Sequence, residues 1–141
     1  MLKLLVPVEE SDVRQEMIES LILWLNRLET PFHIDLINIQ PALHGDVGLF
    51  VGHNEIEGFQ REEGLKALNG TMKQLQQEGI PCDHHIFVGD AAVVIADFSR
   101  QNDIHQIVIG YRPAGTLETL LGGSLTSKVM QLTNIPVMLI K

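Results

Sequence analysis

The chain has 141 residues, 45% of them apolar, which is enough to bury the core of one domain and too few for two. Its formal charge of −8 would repel nucleic acid and anionic lipid surfaces, so neither is expected as a partner, although a small anion can still bind locally. The single cysteine, Cys82, excludes an intrachain disulfide, a redox pair and a thiolate zinc cage, and no stretch reaches the length of a membrane span, so a reducing cytoplasm is the expected setting.

The first element is a strand over Leu2 to Val8, and the immediate arrival of Glu9 and Glu10 argues against reading this run as a signal peptide. Asp12 with Gln15 forms a capping-box pattern, after which Met17, Ile18, Leu21, Ile22, Leu25 and Leu28 recur on one helical face as far as Pro31. Phe32 to Ile39 reads as a second strand. Pro41 to Asn54 follows as a loop in which His44 and His53 bracket Gly45, Gly48 and Gly52 with an apolar patch of Val47, Leu49, Phe50 and Val51, suited to cover a ligand or meet a partner. A second helix is expected from Glu55 to about Glu78, with Gly58, Gly64 and Gly70 inside it each costing roughly 1 kcal/mol against alanine and weakening its continuity.

Gly79 closes that helix, Pro81 to Val88 reads as the third strand, and Gly89 and Asp90 suit a turn and an N-cap before a helix over Ala91 to Arg100. Gln106 to Ile109 is almost wholly apolar, as a strand buried on both faces should be. Ser124 suits the cap of a fourth helix running to about Thr133, and Pro136 to Ile140 supplies the last strand. The series reads βαβαβαβαβ over a single domain, residues 1–141, without internal repeats. The fold class is therefore α/β, a doubly wound five-stranded parallel sheet with helices on both faces, because parallel crossovers are right-handed.

Such sheets bind ligands at the carboxyl ends of their strands. The end of the fourth strand is the most unusual stretch of the chain, running from Gly110 through Arg112, Pro113 and Gly115 to Gly122, Gly123, Ser124, Leu125 and Thr126. Glycines followed by hydroxyls at a helix start let backbone N–H groups approach a phosphate while Ser124 and Thr126 donate to its oxygens. The same residues also suit a purely local role, Gly122 and Gly123 ending a turn and Ser124 capping a helix.

This stretch resembles the nucleotide loop of the universal stress protein family, in which a glycine, two residues, a second glycine, nine residues and then Gly-Ser or Gly-Thr follow in order. Here the anchors are Gly110, Pro113, Gly123 and Ser124. The resemblance extends in order along the whole chain, through Leu5-Val6-Pro7-Val8-Glu9-Glu10-Ser11, Gly89-Asp90-Ala91, Ile107-Val108-Ile109-Gly110 and Asn134-Ile135-Pro136-Val137-Met138-Leu139-Ile140. It implies a Rossmann-like fold of the adenine nucleotide alpha hydrolase type with strand order 3-2-1-4-5. It also implies a stress-response or signalling module that binds ATP or AMP, with or without Mg²⁺, and pairs as a homodimer through Val137 to Ile140 at the sheet edge. By position, Pro7, Val8 and Glu9 would line the adenosine side with Ile39 against the base, while Gly110, Gly123, Ser124 and Leu125 would face ribose and phosphates.

Two residues depart from the family pattern. Glu9 stands where many members carry Asp, adding one methylene to a carboxylate that would reach for ribose hydroxyls. Pro113 replaces the second glycine, which removes an N–H donor and fixes φ near −65°; Gly115 can rebuild the turn, and Arg112 offers a planar donor fork to phosphate or else remains a solvated loop residue. The resemblance therefore leaves a second reading, a nucleotide-free dimeric adaptor acting through protein partners.

Enzymatic patterns find little support. Gly110 and Gly115 have P-loop spacing, but Thr116 follows in place of the required lysine. No nucleophile elbow is present, and the expectation is no dedicated catalysis beyond slow ATP hydrolysis. Cys82 and His84 should share one face of the third strand and His85 the other, too few ligands for zinc, so no metal site is expected and an edge or solvent-facing pair is favoured.

Overall fold

The computed structural model describes residues 1–9, 15–42, 58–110 and 123–141. The elements are β1 (Leu2–Pro7), α1 (Gln15–Leu25), β2 (Phe32–Gln40), α2 (Gly58–Gln77), β3 (Cys82–Val88), α3 (Ala91–Gln101), β4 (Gln106–Gly110), α4 (Gly123–Leu132) and β5 (Val137–Ile140). All four strand pairings are parallel and the order is β3-β2-β1-β4-β5, so the expected doubly wound α/β sheet is the observed one. No helix among the described residues is long and apolar enough to cross a membrane.

The strand period of two sends alternate residues to opposite faces, and each face buries its own core. Leu4, Val6, Ile34, Leu36 and Val108 meet Leu21 and Leu25 of α1 and Leu68 and Leu75 of α2 on one side. Leu5, Ile37, Ile107 and Ile109 meet Ala92, Ile95 and Phe98 of α3 and Val129 of α4 on the other. The helices that follow β1 and β2 thus cover one face, and those that follow β3 and β4 cover the other. The change of face falls between β1 and β4, which lie side by side with Leu4 opposite Gln106 and Leu5 opposite Ile107.

Element ends differ from the sequence expectation for identifiable reasons. The apolar stripe of α1 reaches Leu28, but the helix stops at Leu25 because Arg27 and Leu28 donate to Trp24 and Leu25 carbonyls three residues back, tightening the last turn. Leu28 still packs on the core. Strand β2 runs one residue further, to Gln40, and β3 begins at Cys82 rather than Pro81. Helix α4 opens at Gly123, so Ser124 lies in its first turn instead of preceding it as a cap. Asp90 caps α3 as expected, its carboxylate accepting from the Val93 N–H at 3.1 Å. Asp12 of the capping box, residues 55–57 of the expected second helix and the loop with His44 and His53 lie outside the described residues.

Helix α2 continues through Gly64 and Gly70 despite their low propensity. At Gly64 the reason is close approach: a Cβ there would stand 2.7 Å from Ile86 Cγ2, so the missing side chain lets α2 sit directly on the edge strand β3. The helix ends in a Schellman turn, Ile80 N–H donating to the Leu75 carbonyl and Gly79 N–H to Gln76, with Gly79 at φ +71° and the Leu75 and Ile80 side chains in the same core. Gly79→Ala is expected to lower stability by about 1 kcal/mol through left-handed strain, read as a lower urea midpoint at unchanged m-value.

Candidate functional site

The topology places a crevice where the helices change faces, at the carboxyl ends of β1 and β4. The chain leaving β1 is held there by β2. Val8 donates its N–H to the Ile37 carbonyl at 2.9 Å, and its own carbonyl accepts from Asn38 Nδ2 at 2.8 Å. Asn38 is buried and its Oδ1 accepts from Gln40 Nε2 at 2.7 Å, so both ends of the amide are satisfied. This bracing sinks Val8 into the core on the α1 and α2 side and leaves Glu9 exposed at the rim. Asn38→Ala would leave the Val8 carbonyl and Gln40 amide without this partner; a loss of about 1–3 kcal/mol is expected, measurable by urea denaturation.

Other predicted residues fall at the same end of the sheet. Pro7 closes β1, and Ile39, near the end of β2, packs on the α3 and α4 side in register with Phe87. Gly110 ends β4 where a Cβ would lie 2.8 Å from Met17 Sδ, so the first turns of α1 close against that strand end. Because β4 and β5 are parallel, α4 between them runs back across the sheet and presents its N-terminus, Gly123 and Ser124, at the carboxyl edge. The first turn of a helix carries N–H groups with no intrahelical partner, a natural anion seat.

The Leu125 side chain packs against the α3 and α4 core while staying partly exposed. Thr126 is buried, and its Oγ1 has no hydrogen-bond partner among the described residues. Arg112, Pro113 and Gly115 lie outside the described residues. Sequence reasoning missed Asn38, whose signal was an amide in the middle of a strand otherwise apolar from Ile34 to Ile39 save Asp35.

On the edge strand β3 the expected alternation holds. Cys82 packs toward the α1 and α2 core, His84 is exposed, and His85 turns to the opposite face against Phe87 and Phe98. Burial raises the Cys82 thiol above its ordinary pKa, and the nearby Asp83 and Asp35 carboxylates add to the rise. A raised value means less thiolate, so iodoacetamide at pH 8 is expected to label Cys82 more slowly than a free cysteine, and faster once urea unfolds the chain.

Comparison with known proteins agrees with this architecture. The model of the universal stress protein family matches residues 1–141. The chain is 27% identical to the universal stress protein YxiE of Bacillus subtilis over 88 residues, covering 62% of this chain and 60% of that protein. It is 24% identical to the universal stress protein Sll1388 of Synechocystis over 152 residues, covering 99% of this chain and 97% of that one. Among solved structures, a universal stress protein from Archaeoglobus fulgidus superposes with a TM-score of 0.72 at 23% identity, covering 100% and 99% of the two chains. The Archaeoglobus fulgidus protein in complex with dAMP gives a TM-score of 0.66 at 20% identity, with 100% and 98% coverage. A universal stress protein family member from Arabidopsis thaliana with AMP bound gives 0.64 at 20% identity, with 100% and 92% coverage. With the sheet order, the change of face between β1 and β4 and a family match over its whole length, the chain belongs to the universal stress protein family.

Proposed function

We propose that the chain binds an adenine nucleotide, AMP or ATP, in the crevice between β1 and β4 and serves as a stress-response or signalling module whose occupancy alters its contacts with partners. The observation that carries this reading is the placement of the α4 N-terminus, Gly123-Ser124, at the same sheet edge as the braced Val8-Glu9 segment. Relatives of the same fold hold dAMP and AMP.

The residues fit such a ligand. Pro7 and Ile39 give the base apolar contact, and the exposed Glu9 carboxylate can accept from ribose hydroxyls. The N–H groups of Gly123, Ser124 and Leu125 suit a phosphate, and the Arg112 guanidinium is by its chemistry a further charged donor for one. Among the described residues the buried Thr126 hydroxyl has no partner, and a ligand oxygen could accept from it. Mg²⁺ would neutralise the extra charge of a triphosphate.

Homodimerisation through β5 accompanies this proposal. The strand lies at the sheet edge with β4 as its one neighbour, and Leu139 is 41% exposed on it. Apolar edges of this kind pair readily across a two-fold axis. Light scattering should give twice the chain mass at micromolar concentration, and a monomer would overturn the dimer. For the ligand, extraction of the purified protein is expected to release an adenine nucleotide, and AMP or ATP with Mg²⁺ to raise Tm. An empty extract with no shift at millimolar nucleotide would reject nucleotide binding and leave the dimeric adaptor.

A further inference from the structure

On β2 and the edge strand β3 the sheet assembles a second cluster. The parallel register sets Asp35 beside Asp83 and Ile37 beside His85, so His33, Asp35, Asp83 and His85 all emerge on the α3 and α4 face. His33 Nε2 lies 3.0 Å from Asp83 Oδ2 and 3.6 Å from Asp35 Oδ1, and His85 Nε2 lies 2.8 Å from that same Asp35 Oδ1. The ligand atoms of His33, Asp35 and Asp83 all fall within 4.8 Å of one another. We propose that these four side chains bind a divalent transition-metal ion, zinc by preference, which staples the edge strand β3 to β2.

Geometry is the first support. Zinc bonds of about 2.0–2.2 Å at tetrahedral angles separate neighbouring donors by roughly 3.3–3.5 Å, and the three shortest contacts, 2.8, 3.0 and 3.6 Å, bracket that spacing. His33, Asp35 and Asp83 form the preassembled part of the cage, and His85, bonded to Asp35 Oδ1, completes it when its ring turns toward the other donors. Both imidazoles direct a ring nitrogen, Nε2, at the carboxylates.

Charge is the second support. The Asp35 side chain is only 8% exposed, yet without a cation its partners are imidazoles, which need no positive charge to donate one N–H each. The cluster brings two carboxylates together beside two imidazole nitrogens, a donor set to which a divalent cation is the direct complement. Lys3 shares this face in register with His33, but its ammonium is bonded to the Asn102 carbonyl at the end of α3. The His85 ring packs at 4.7 Å between centroids against buried Phe98. The site is reachable, since the His33 and Asp83 side chains are 30% and 67% exposed.

Two nitrogens and two oxygens in a compact four-donor set favour zinc or cobalt over magnesium or calcium, which take six or more oxygens. His85 is level with Ile37 and Pro7 but two strand spacings, about 10 Å, from β1, so the donors are a different set of side chains from those proposed to hold the nucleotide.

The test uses untagged, chelator-treated full-length protein. Calorimetric titration should show one zinc ion per chain, and Co²⁺ in its place should give the intense visible bands of four-coordinate cobalt. The double variant H33Q/D83N changes exposed positions and should keep its metal-free melting curve while losing affinity by about 100-fold or more, two of four ligands being gone. H84Q and H105Q should bind as the parent does. Long-range nitrogen-15 NMR of the unaltered protein should move only the Nε2 resonances of His33 and His85 on zinc addition. Absence of saturable uptake at submillimolar zinc, equal affinity in the double variant, a weak octahedral cobalt spectrum, or shifts confined to other histidines would each overturn the assignment.

Discussion

Gly123→Val is expected to weaken AMP binding by about 100-fold or more while leaving Tm nearly unchanged. A nucleotide phosphate can reach the first-turn N–H groups of α4 only if nothing projects from the backbone at its opening residue, Gly123. Loss of two hydrogen bonds to a charged group, at about 1.5–3 kcal/mol each, corresponds to that factor or more. Stability should hardly change, because valine is no worse than glycine in a helix. Calorimetry on the variant and its parent reads both quantities. An unchanged Kd would move the phosphate seat away from α4, and a large fall in Tm would show that the glycine serves packing instead.

Leu5→Ala should be the most damaging single truncation for the fold, at about 3 kcal/mol, which for a domain of this size lowers Tm by roughly 6–12 °C. Leu5 is fully buried on β1, at the centre of the sheet order, beside Asp35 of β2 and Ile107 of β4. It packs with Ile37, Ile95 and Val129, so its loss opens a cavity shared by three strands and two helices. Leu132→Ala, at a position 51% exposed on α4, provides the contrast and should change stability by less than about 0.5 kcal/mol. Equal costs at the two positions would mean that the sheet centre can collapse around the missing methyls.

Much of the fold was legible because both of its periodicities are carried by side chains. Apolar runs such as Leu4 to Val6 and Ile107 to Ile109 stand out against the helical stripe of Met17 to Leu25, and the nine elements among the described residues emerged in the right order. Strand order did not come from period; it came from the resemblance and agreed with the observed sheet. Gly64 read as a weak point in α2, since sequence shows a glycine's propensity cost but not the Ile86 side chain that needs the space.

The same division runs through the sites. Gly110 and Gly123 announce themselves, because glycine before a helix or after a strand is a local signal. Asn38 stayed hidden because its partner, the Val8 carbonyl, lies on another strand. Reading along β3 correctly split Cys82 and His84 from His85, yet His85 finds Asp35 across the sheet. That meeting is set by inter-strand register, which no single strand contains.

The two borders of the sheet are chemically unlike. Strand β5 offers Val137, Met138 and Leu139, whereas β3 at the far border exposes Asp83 and His84. Of these two borders β5 is the more apolar along its length, so in the pair proposed above each chain would cover that border of the other. The borders left open would then be the two β3 strands, where Asp83 and His84 weaken the attachment of a further strand.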